Sequence, residues 1–173
     1  DIADMWIHEG FTTYTECVFV ECQFGYEKAM KYITGLQMNV SNQKPVIGIF
    51  GVNKEGSGDM YPKGALMLNT LRHVVNDDDK WWKMLLKYSE TFKKKVIDTE
   101  TVVDFFNTET GMDLTPFFNQ YLRHKNPPIL QLKLNDGKLE YRWETDEAGF
   151  KLPVGITANG IDLRLNATND WQS

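Results

Sequence analysis

Apolar positions recur with a helical spacing from the start of the chain to Asn126, and this periodicity predicts a mostly helical region. The predicted helices are residues 4–24, residues 26–38, a helix that opens at Pro62, one that follows the aspartates at 77–79, one between Asp98 and Gly111, and one that starts at Thr115. Residues 39–60 are rich in Gly, Asn, Ser and Lys, which predicts a loop with one short apolar strand over residues 46–50.

Sequence signals mark several of the predicted helix ends. Pro62 suits the first position of a helix, where its missing N–H costs nothing. The aspartates at 77–79 suit a helix N-terminus, because their side chains cap free N–H groups and complement the helix dipole. Gly111 is expected just past a helix C-terminus. Thr115 is expected as an N-cap, with Pro116 at the first helical position.

Beyond Pro128 the spacing of apolar positions changes from a helical period of about 3.6 to a period of about 2, which is typical of strands. The alternating segments are grouped in pairs around Asp136-Gly137 and Asn159-Gly160, which are strong signals for β-hairpin turns. We therefore expect an antiparallel sheet of about four strands with one apolar face. With so few strands, part of the sandwich that would cover this face is expected to be missing.

These patterns predict an α+β chain with two domains that meet at the Asn126-Pro127-Pro128 segment. Residues 1–126 are expected to form a helical lobe, and residues 127–173 a truncated antiparallel β-domain. Apolar residues make up 42% of the 173 residues and aromatic residues 13%, which is enough to fill a core. Charged residues of both signs make up 25%, a composition typical of a folded chain.

Charge and hydropathy predict that the chain neither binds nucleic acid nor contains a membrane-spanning segment. The formal net charge of −5 provides no basic footprint for nucleic acid. No apolar run approaches the length of a membrane-spanning helix.

Asn39 and Asn166 begin Asn-x-Ser/Thr triplets, which are typical of glycosylated extracytoplasmic proteins. Such triplets often arise by chance, so they favour an extracytoplasmic location slightly and do not fix the compartment.

The first predicted helix carries a polar stripe among large apolar residues. Glu9, either Thr12 or Thr13, and Glu16 are spaced so that they share one helix face. Carboxylates in such apolar surroundings are costly unless something neutralises them. A bound cation or the basic residues of another segment would do so. The alternative is that the stripe is the solvated face of an amphipathic helix.

Tyr61 stands directly before Pro62, at the start of the third predicted helix. A residue before proline is disfavoured in the helical region, so we expect Tyr61 to be extended, with its phenol projecting into a neighbouring cavity. A phenol in that position would be a hydrogen-bond donor for a developing oxyanion. The alternative is a tyrosine that only anchors a loop.

Two motifs give the chain a resemblance to a known family. Residues 6–16 have the sequence WIHEGFTTYTE, which resembles the W-x-x-E-G-[FLT]-x-x-Y-x-E segment of the gluzincin zinc aminopeptidases, the family of aminopeptidase N and leukotriene-hydrolase enzymes. Residues 61–65, YPKGA, resemble the Y-x-K-G-A segment of that family, which more often has glutamate where Pro62 stands. The Pro-Pro junction and the strands that follow resemble the β-domain after the family's helical lobe, so the resemblance covers nearly the whole chain.

The resemblance implies a thermolysin-like catalytic lobe and assigns roles to three residues. The family binds one zinc ion through an HExxH helix and a downstream glutamate, and the position of that glutamate corresponds to Glu9. Tyr61 corresponds to the tyrosine that donates its phenolic proton to the tetrahedral oxyanion. Glu16 is expected to be an outer partner of a zinc-ligating histidine.

By the same resemblance, the HExxH segment is expected to lie upstream of Asp1, together with the segment that recognises the substrate amine. The chain is then an inactive fragment of a zinc aminopeptidase that acts on peptides with a free N-terminus. A single carboxylate is a poor zinc site, so the isolated chain is expected not to retain the ion. The surfaces that would contact the missing part are expected to be apolar and to favour self-association.

Two alternatives to a peptidase stay open. The first is a hydrolase with the same scaffold that acts on a non-peptide substrate such as an epoxide, which the missing amine-recognition segment would distinguish. The second is a non-catalytic helical binding module, in which the stripe that contains Glu9 contacts basic residues of a partner.

Overall fold

Six α-helices precede four β-strands in a computed structural model that describes residues 1–173. The helices are α1 (Trp6–Phe24), α2 (Tyr26–Gly35), α3 (Pro62–Val75), α4 (Asp78–Phe92), α5 (Thr99–Thr110) and α6 (Thr115–Arg123). Short 3-10 helices are formed by Ile2–Asp4, Leu36–Asn39 and Gly58–Met60. The predicted α+β class is confirmed, whereas the domain boundary at residues 126 and 127 stays a prediction.

The helix ends follow the sequence signals closely. Pro62 is the first residue of α3, and the Asp77 carboxylate accepts a hydrogen bond of 2.9 Å from the Lys80 N–H at the start of α4. Gly111 ends α5 in the left-handed region, with φ of 73°. The prediction for α6 is wrong by one residue, because Leu114 is the N-cap and Thr115 already belongs to the helix.

The predicted strand over residues 46–50 is not formed. Its backbone donors bond to the ends of helical segments instead of to a neighbouring strand. The Ile47 N–H donates to the Leu122 carbonyl at 3.0 Å, and the Gly48 N–H donates to the Ala3 carbonyl at 3.2 Å. The apolar run therefore reflects the burial of Val46 and Ile47 under these contacts, and not membership of a sheet.

The β-region consists of two antiparallel hairpins, which corrects the expectation of one continuous sheet. The strands are β1 (Ile129–Asn135), β2 (Lys138–Glu144), β3 (Lys151–Ala158) and β4 (Ile161–Thr168), with β1 paired to β2 and β3 paired to β4. Part of the apolar face is open to solvent, since Leu134 is 74% exposed and Ile161 is 62% exposed. Trp143, by contrast, is buried and joins the same core as the helices.

The helical core is built from large aromatic side chains of α1, α4, α5 and α6. Trp6 and Tyr14 of α1 are buried together with Trp81, Phe106 and Phe118. The Trp81 indole donates a hydrogen bond of 3.0 Å to the Tyr14 hydroxyl, so its one polar atom is satisfied inside the core. No helix among the 173 residues combines the length and apolar character that crossing a bilayer requires.

Helices α1 and α3 touch through two glycines. A Cβ atom built on Gly64 would lie 2.9 Å from the Gly10 Cα, and one built on Gly10 would lie 3.2 Å from the Gly64 Cα. Side chains at these positions would force the two backbones apart, whereas glycine allows direct contact. The contact sets the first turns of α1 beside the N-terminus of α3.

We predict that Gly64→Ala destabilises the protein by about 1–3 kcal/mol, because the added methyl group overpacks a backbone contact that cannot give way easily. Urea denaturation of the two proteins measures the difference. Gly35→Ala is the matched control, since Gly35 is in the helical region and a Cβ atom added to it would have no neighbour within 4 Å. That control should be neutral or stabilising by up to about 1 kcal/mol, and equal effects of the two substitutions would contradict the prediction.

Candidate active site

Glu9 lies in the first turns of α1, and its backbone position is fixed by buried contacts on either side. The Trp6 indole donates to the Thr99 hydroxyl at 2.8 Å, and that hydroxyl donates to the Asp4 carboxylate at 2.5 Å. Gly10, the next residue after Glu9, makes the contact with α3. The Glu9 side chain is half-buried, so its carboxylate borders both the protein and the solvent.

Tyr61 connects the 3-10 helix Gly58–Met60 to α3 in the right-handed helical region, with φ of −74° and ψ of −73°. The expectation of an extended backbone is therefore wrong. The Tyr61 N–H donates to the Gly58 carbonyl at 3.4 Å, and its own carbonyl accepts from the Ala65 N–H at 3.1 Å. These two bonds make the backbone continuous from the 3-10 helix into α3. They outweigh the preference of a residue before proline for an extended conformation. The side chain is 43% exposed.

The structure places the turn that carries Tyr61 beside the turn that carries Glu9, since a Cβ atom built on Gly10 would lie 3.3 Å from the Met60 carbonyl oxygen. The pKa of Tyr61 is raised by loss of solvent around the phenol, and then by the negative charges of Glu9 and Glu55. All of these effects disfavour the phenolate. The phenol therefore keeps its proton at neutral pH and is a hydrogen-bond donor beside a carboxylate.

Glu16 lies two turns after Glu9, on the exposed face of α1. Its carboxylate accepts a hydrogen bond from the hydroxyl of Tyr32 on α2. This bond is the main cause that raises the pKa of Tyr32 to about 12. The contact explains how Glu16 is held, whereas a role beside a zinc-ligating histidine stays a prediction.

The donors within these 173 residues do not make a complete zinc site. Catalytic zinc ions take three protein ligands and leave one position for water or substrate. No group of three or more His, Cys, Asp or Glu side chains in the chain lies close enough to hold a metal ion. The residues present therefore do not supply three ligands, and the assignment of Glu9 as one ligand stays a prediction.

Sequence reasoning missed the residues that support this pair. Gly10 and Gly64 lie inside the two motifs, next to Glu9 and three residues after Tyr61. Their occurrence within both motifs was the available signal, because glycine in a helix is unfavourable without a packing reason. Lys63, also inside the second motif, is buried, which neither its charge nor its spacing predicts.

A family comparison decides where this arrangement belongs. The model of the Peptidase family M1 domain matches residues 2–121 of the chain. This chain belongs to peptidase family M1. The membership confirms the resemblance to the gluzincin zinc aminopeptidases, and it covers both motifs and all six helices up to Tyr121.

Individual relatives agree with the M1 assignment. Aminopeptidase B from Mus musculus is 28% identical over an alignment of 145 residues, which covers 72% of this chain and 22% of that protein. The M1 zinc metallopeptidase from Deinococcus radiodurans has a TM-score of 0.61 at 24% identity, over 75% of this chain and 29% of that one. A variant of the Deinococcus enzyme was solved with the substrate Tyr-Ser-Ala. Aminopeptidase A from Legionella pneumophila, solved with aspartic acid, has a TM-score of 0.61 at 13% identity, over 98% of this chain and 22% of that one.

The similarity to these relatives is limited in sequence identity and in the share of their length that is matched. The structural matches are below 25% identity, so they show the fold alone. The chain spans 22% of the curated relative and between 22% and 29% of these solved chains.

We predict that Glu9→Gln lowers the pKa of Tyr61 towards that of an ordinary tyrosine in the metal-free protein, because it removes a neighbouring negative charge. NMR titration of ring-labelled tyrosine measures the shift. Glu16→Gln is the matched control, since it should lower the pKa of Tyr32 from about 12 and leave Tyr61 unchanged. An unchanged Tyr61 in Glu9→Gln would contradict the geometry of the pair.

Proposed function

We propose that this M1 chain contributes to the active site of a zinc-dependent aminopeptidase, which removes N-terminal residues from peptides. The observation that carries the proposal is the Gly10–Gly64 contact, which sets the turn of α1 that carries Glu9 beside the turn that carries Tyr61. Family membership supports a metallopeptidase. The Tyr-Ser-Ala complex of the Deinococcus relative supports peptides with a free N-terminus as the substrate class.

Glu9 is proposed to be one ligand of a single zinc ion. Its carboxylate is a suitable oxygen donor, and two neutral imidazoles from polypeptide outside the 173 residues would complete the set. Zinc bound there would supply a Lewis acid for the substrate carbonyl and for a water molecule. Glu16, fixed by Tyr32, is proposed to orient one of the ligating imidazoles. A chain that supplies one carboxylate would not retain the ion by itself and would be inactive.

Tyr61 is proposed to donate its phenolic hydrogen bond to the oxyanion of the tetrahedral intermediate. A phenol is protonated at neutral pH, so Tyr61 can donate a hydrogen bond to an oxyanion there. Tyr61 is 43% exposed, so the residue borders solvent that a ligand can replace. A donor fixed in place before the reaction stabilises charge that develops only in the transition state.

The exposed apolar surface supports a further part of the proposal, namely self-association of the isolated chain. Phe19 and Phe24 of α1 are 61% and 67% exposed, and Leu134 and Ile161 add exposed apolar surface on the hairpins. Apolar area of this kind favours contact with other polypeptide. Sedimentation that shows a monomer at high concentration would contradict this part.

We predict that in the full-length protein Glu9→Ala abolishes both zinc binding and turnover of aminoacyl p-nitroanilides. Tyr61→Phe should retain zinc and lower kcat by about 10²–10³-fold with little change in KM, because it removes a donor used only in the transition state. Zinc is measured by mass spectrometry and turnover by absorbance.

The matched controls are Glu90→Ala and Tyr26→Phe, which change an exposed carboxylate and an exposed phenol away from the pair and should leave both values unchanged. Full zinc content and turnover in Glu9→Ala would show that the stripe on α1 is structural. The zinc aminopeptidase assignment would then fail.

A further inference from the structure

Two oppositely charged side chains are buried on either side of Tyr61, and the proposed function gives neither of them a role. Asp59 is 3% exposed and Lys63 is 4% exposed. Charged side chains are rarely buried to this extent unless they are paired and hydrogen-bonded. Each lies two residues from Tyr61, so the contacts of the two side chains determine where the Tyr61 backbone lies.

Asp59 connects the turn before Tyr61 to the loop that follows α2. Its Oδ1 accepts from the Ser41 N–H at 2.8 Å and from the Ser41 hydroxyl at 3.0 Å, and its Oδ2 accepts from the Asn42 N–H at 2.7 Å. Burial by itself would raise the pKa of Asp59, but these bonds and the charge of Lys63 hold it below its ordinary value. The carboxylate is therefore ionised at neutral pH, and both of its oxygens accept hydrogen bonds.

Lys63 connects the first turn of α3 to the end of α6. Its Nζ donates to the His124 carbonyl at 3.1 Å and to the Lys125 carbonyl at 2.9 Å, directly after the last residue of the helix. A positive charge at a helix C-terminus interacts favourably with the helix dipole. Burial lowers the pKa of Lys63, and the negative charge of Asp59 opposes that effect.

We propose that Asp59 and Lys63 are positioning residues that hold the Tyr61 phenol beside Glu9. The proposal rests on the proposed function, because positioning matters to catalysis only if Tyr61 donates to the oxyanion. The Gly10–Gly64 contact fixes the distance between α1 and α3. Asp59 and Lys63 tie the first turn of α3 to the loop after α2 and to the end of α6, so they fix the position of Tyr61 relative to these segments. This position matters because a displacement of about 1 Å at a reacting group can lower a rate by about 10²-fold.

A double-mutant cycle on the full-length enzyme tests this role. Lys63→Met is expected to lower kcat by about 10–10²-fold while zinc content stays at one ion per chain and KM changes little. In a Tyr61→Phe background the same substitution should lower kcat by less than about twofold, because the donor that it positions is already absent. Asp59→Asn should behave in the same way.

Lys87→Met and Asp98→Asn are the matched controls. Lys87 forms an exposed pair with Glu109, and Asp98 is an exposed cap of α5, so both should keep the wild-type kcat in either background. A purely structural role for Lys63 or Asp59 predicts the same loss of kcat with and without the Tyr61 hydroxyl. That result, or wild-type kcat in both variants, would overturn the proposal.

Ser41→Ala serves as the test if the buried charge variants fail to fold or to retain zinc, since it removes only one hydroxyl donor to Asp59. We expect a fall in kcat of about 2–10-fold that disappears in the Tyr61→Phe background. A fall that persists there would overturn the proposal. Failure of the proposed function is distinguishable, because it appears as absent turnover in the wild type or as full kcat in Tyr61→Phe alone.

Discussion

The contact between Gly10 and Gly64 is the constraint on which the rest of the candidate site depends. The residue before Gly10 is Glu9, and Tyr61 is one turn before Gly64, so one backbone contact sets the turns that carry the two proposed site residues side by side. Any larger side chain at either glycine would separate α1 from α3 by part of an ångström or more. A zinc ligand and an oxyanion donor tolerate little such movement, because both act over the length of one bond or hydrogen bond.

The opposite ends of the same two helices are joined by charge and not by close backbone contact. Arg72 of α3 forms two hydrogen bonds to Glu21 of α1, at 2.6 and 2.9 Å, and two to Asp78 at 2.8 Å. Its guanidinium also lies over the Trp82 ring, at 4.6 Å from the centroid. Arg72 is buried and is paired with both carboxylates, so this cluster resists rotation of α3 about the glycine contact. The two helices run in the same general direction and are fixed at both ends.

The sequence predicted the elements well because their signals are local. Helix starts at Pro62 and Asp77 and the hairpin turn at Asp136-Gly137 depend on neighbouring residues only, and all three are found in the structure. The predicted strand at residues 46–50 was wrong because an apolar run reports burial and does not say what the backbone bonds to. The extended Tyr61 was wrong because hydrogen bonds with Gly58 and Ala65 outweigh a local preference.

The same distinction between local signals and long-range contacts applies to the candidate site. Glu9 and Tyr61 could be selected from short motifs, whereas their proximity depends on how α1 crosses α3, which spacing along the chain does not encode. The burial of Asp59 and Lys63 likewise follows from contacts with residues 41–42 and with the end of α6. Long-range contacts of this kind appear only once the fold is known.

A crystal structure of the full-length enzyme with a phosphinic peptide analogue, with anomalous data at the zinc edge, would test the central claim most directly. The account predicts a zinc peak at about 2.0–2.2 Å from a Glu9 carboxylate oxygen. It also predicts the Tyr61 hydroxyl at about 2.7–3.1 Å from a phosphinyl oxygen. A zinc peak away from Glu9, or a Tyr61 phenol that points away from the inhibitor, would contradict it.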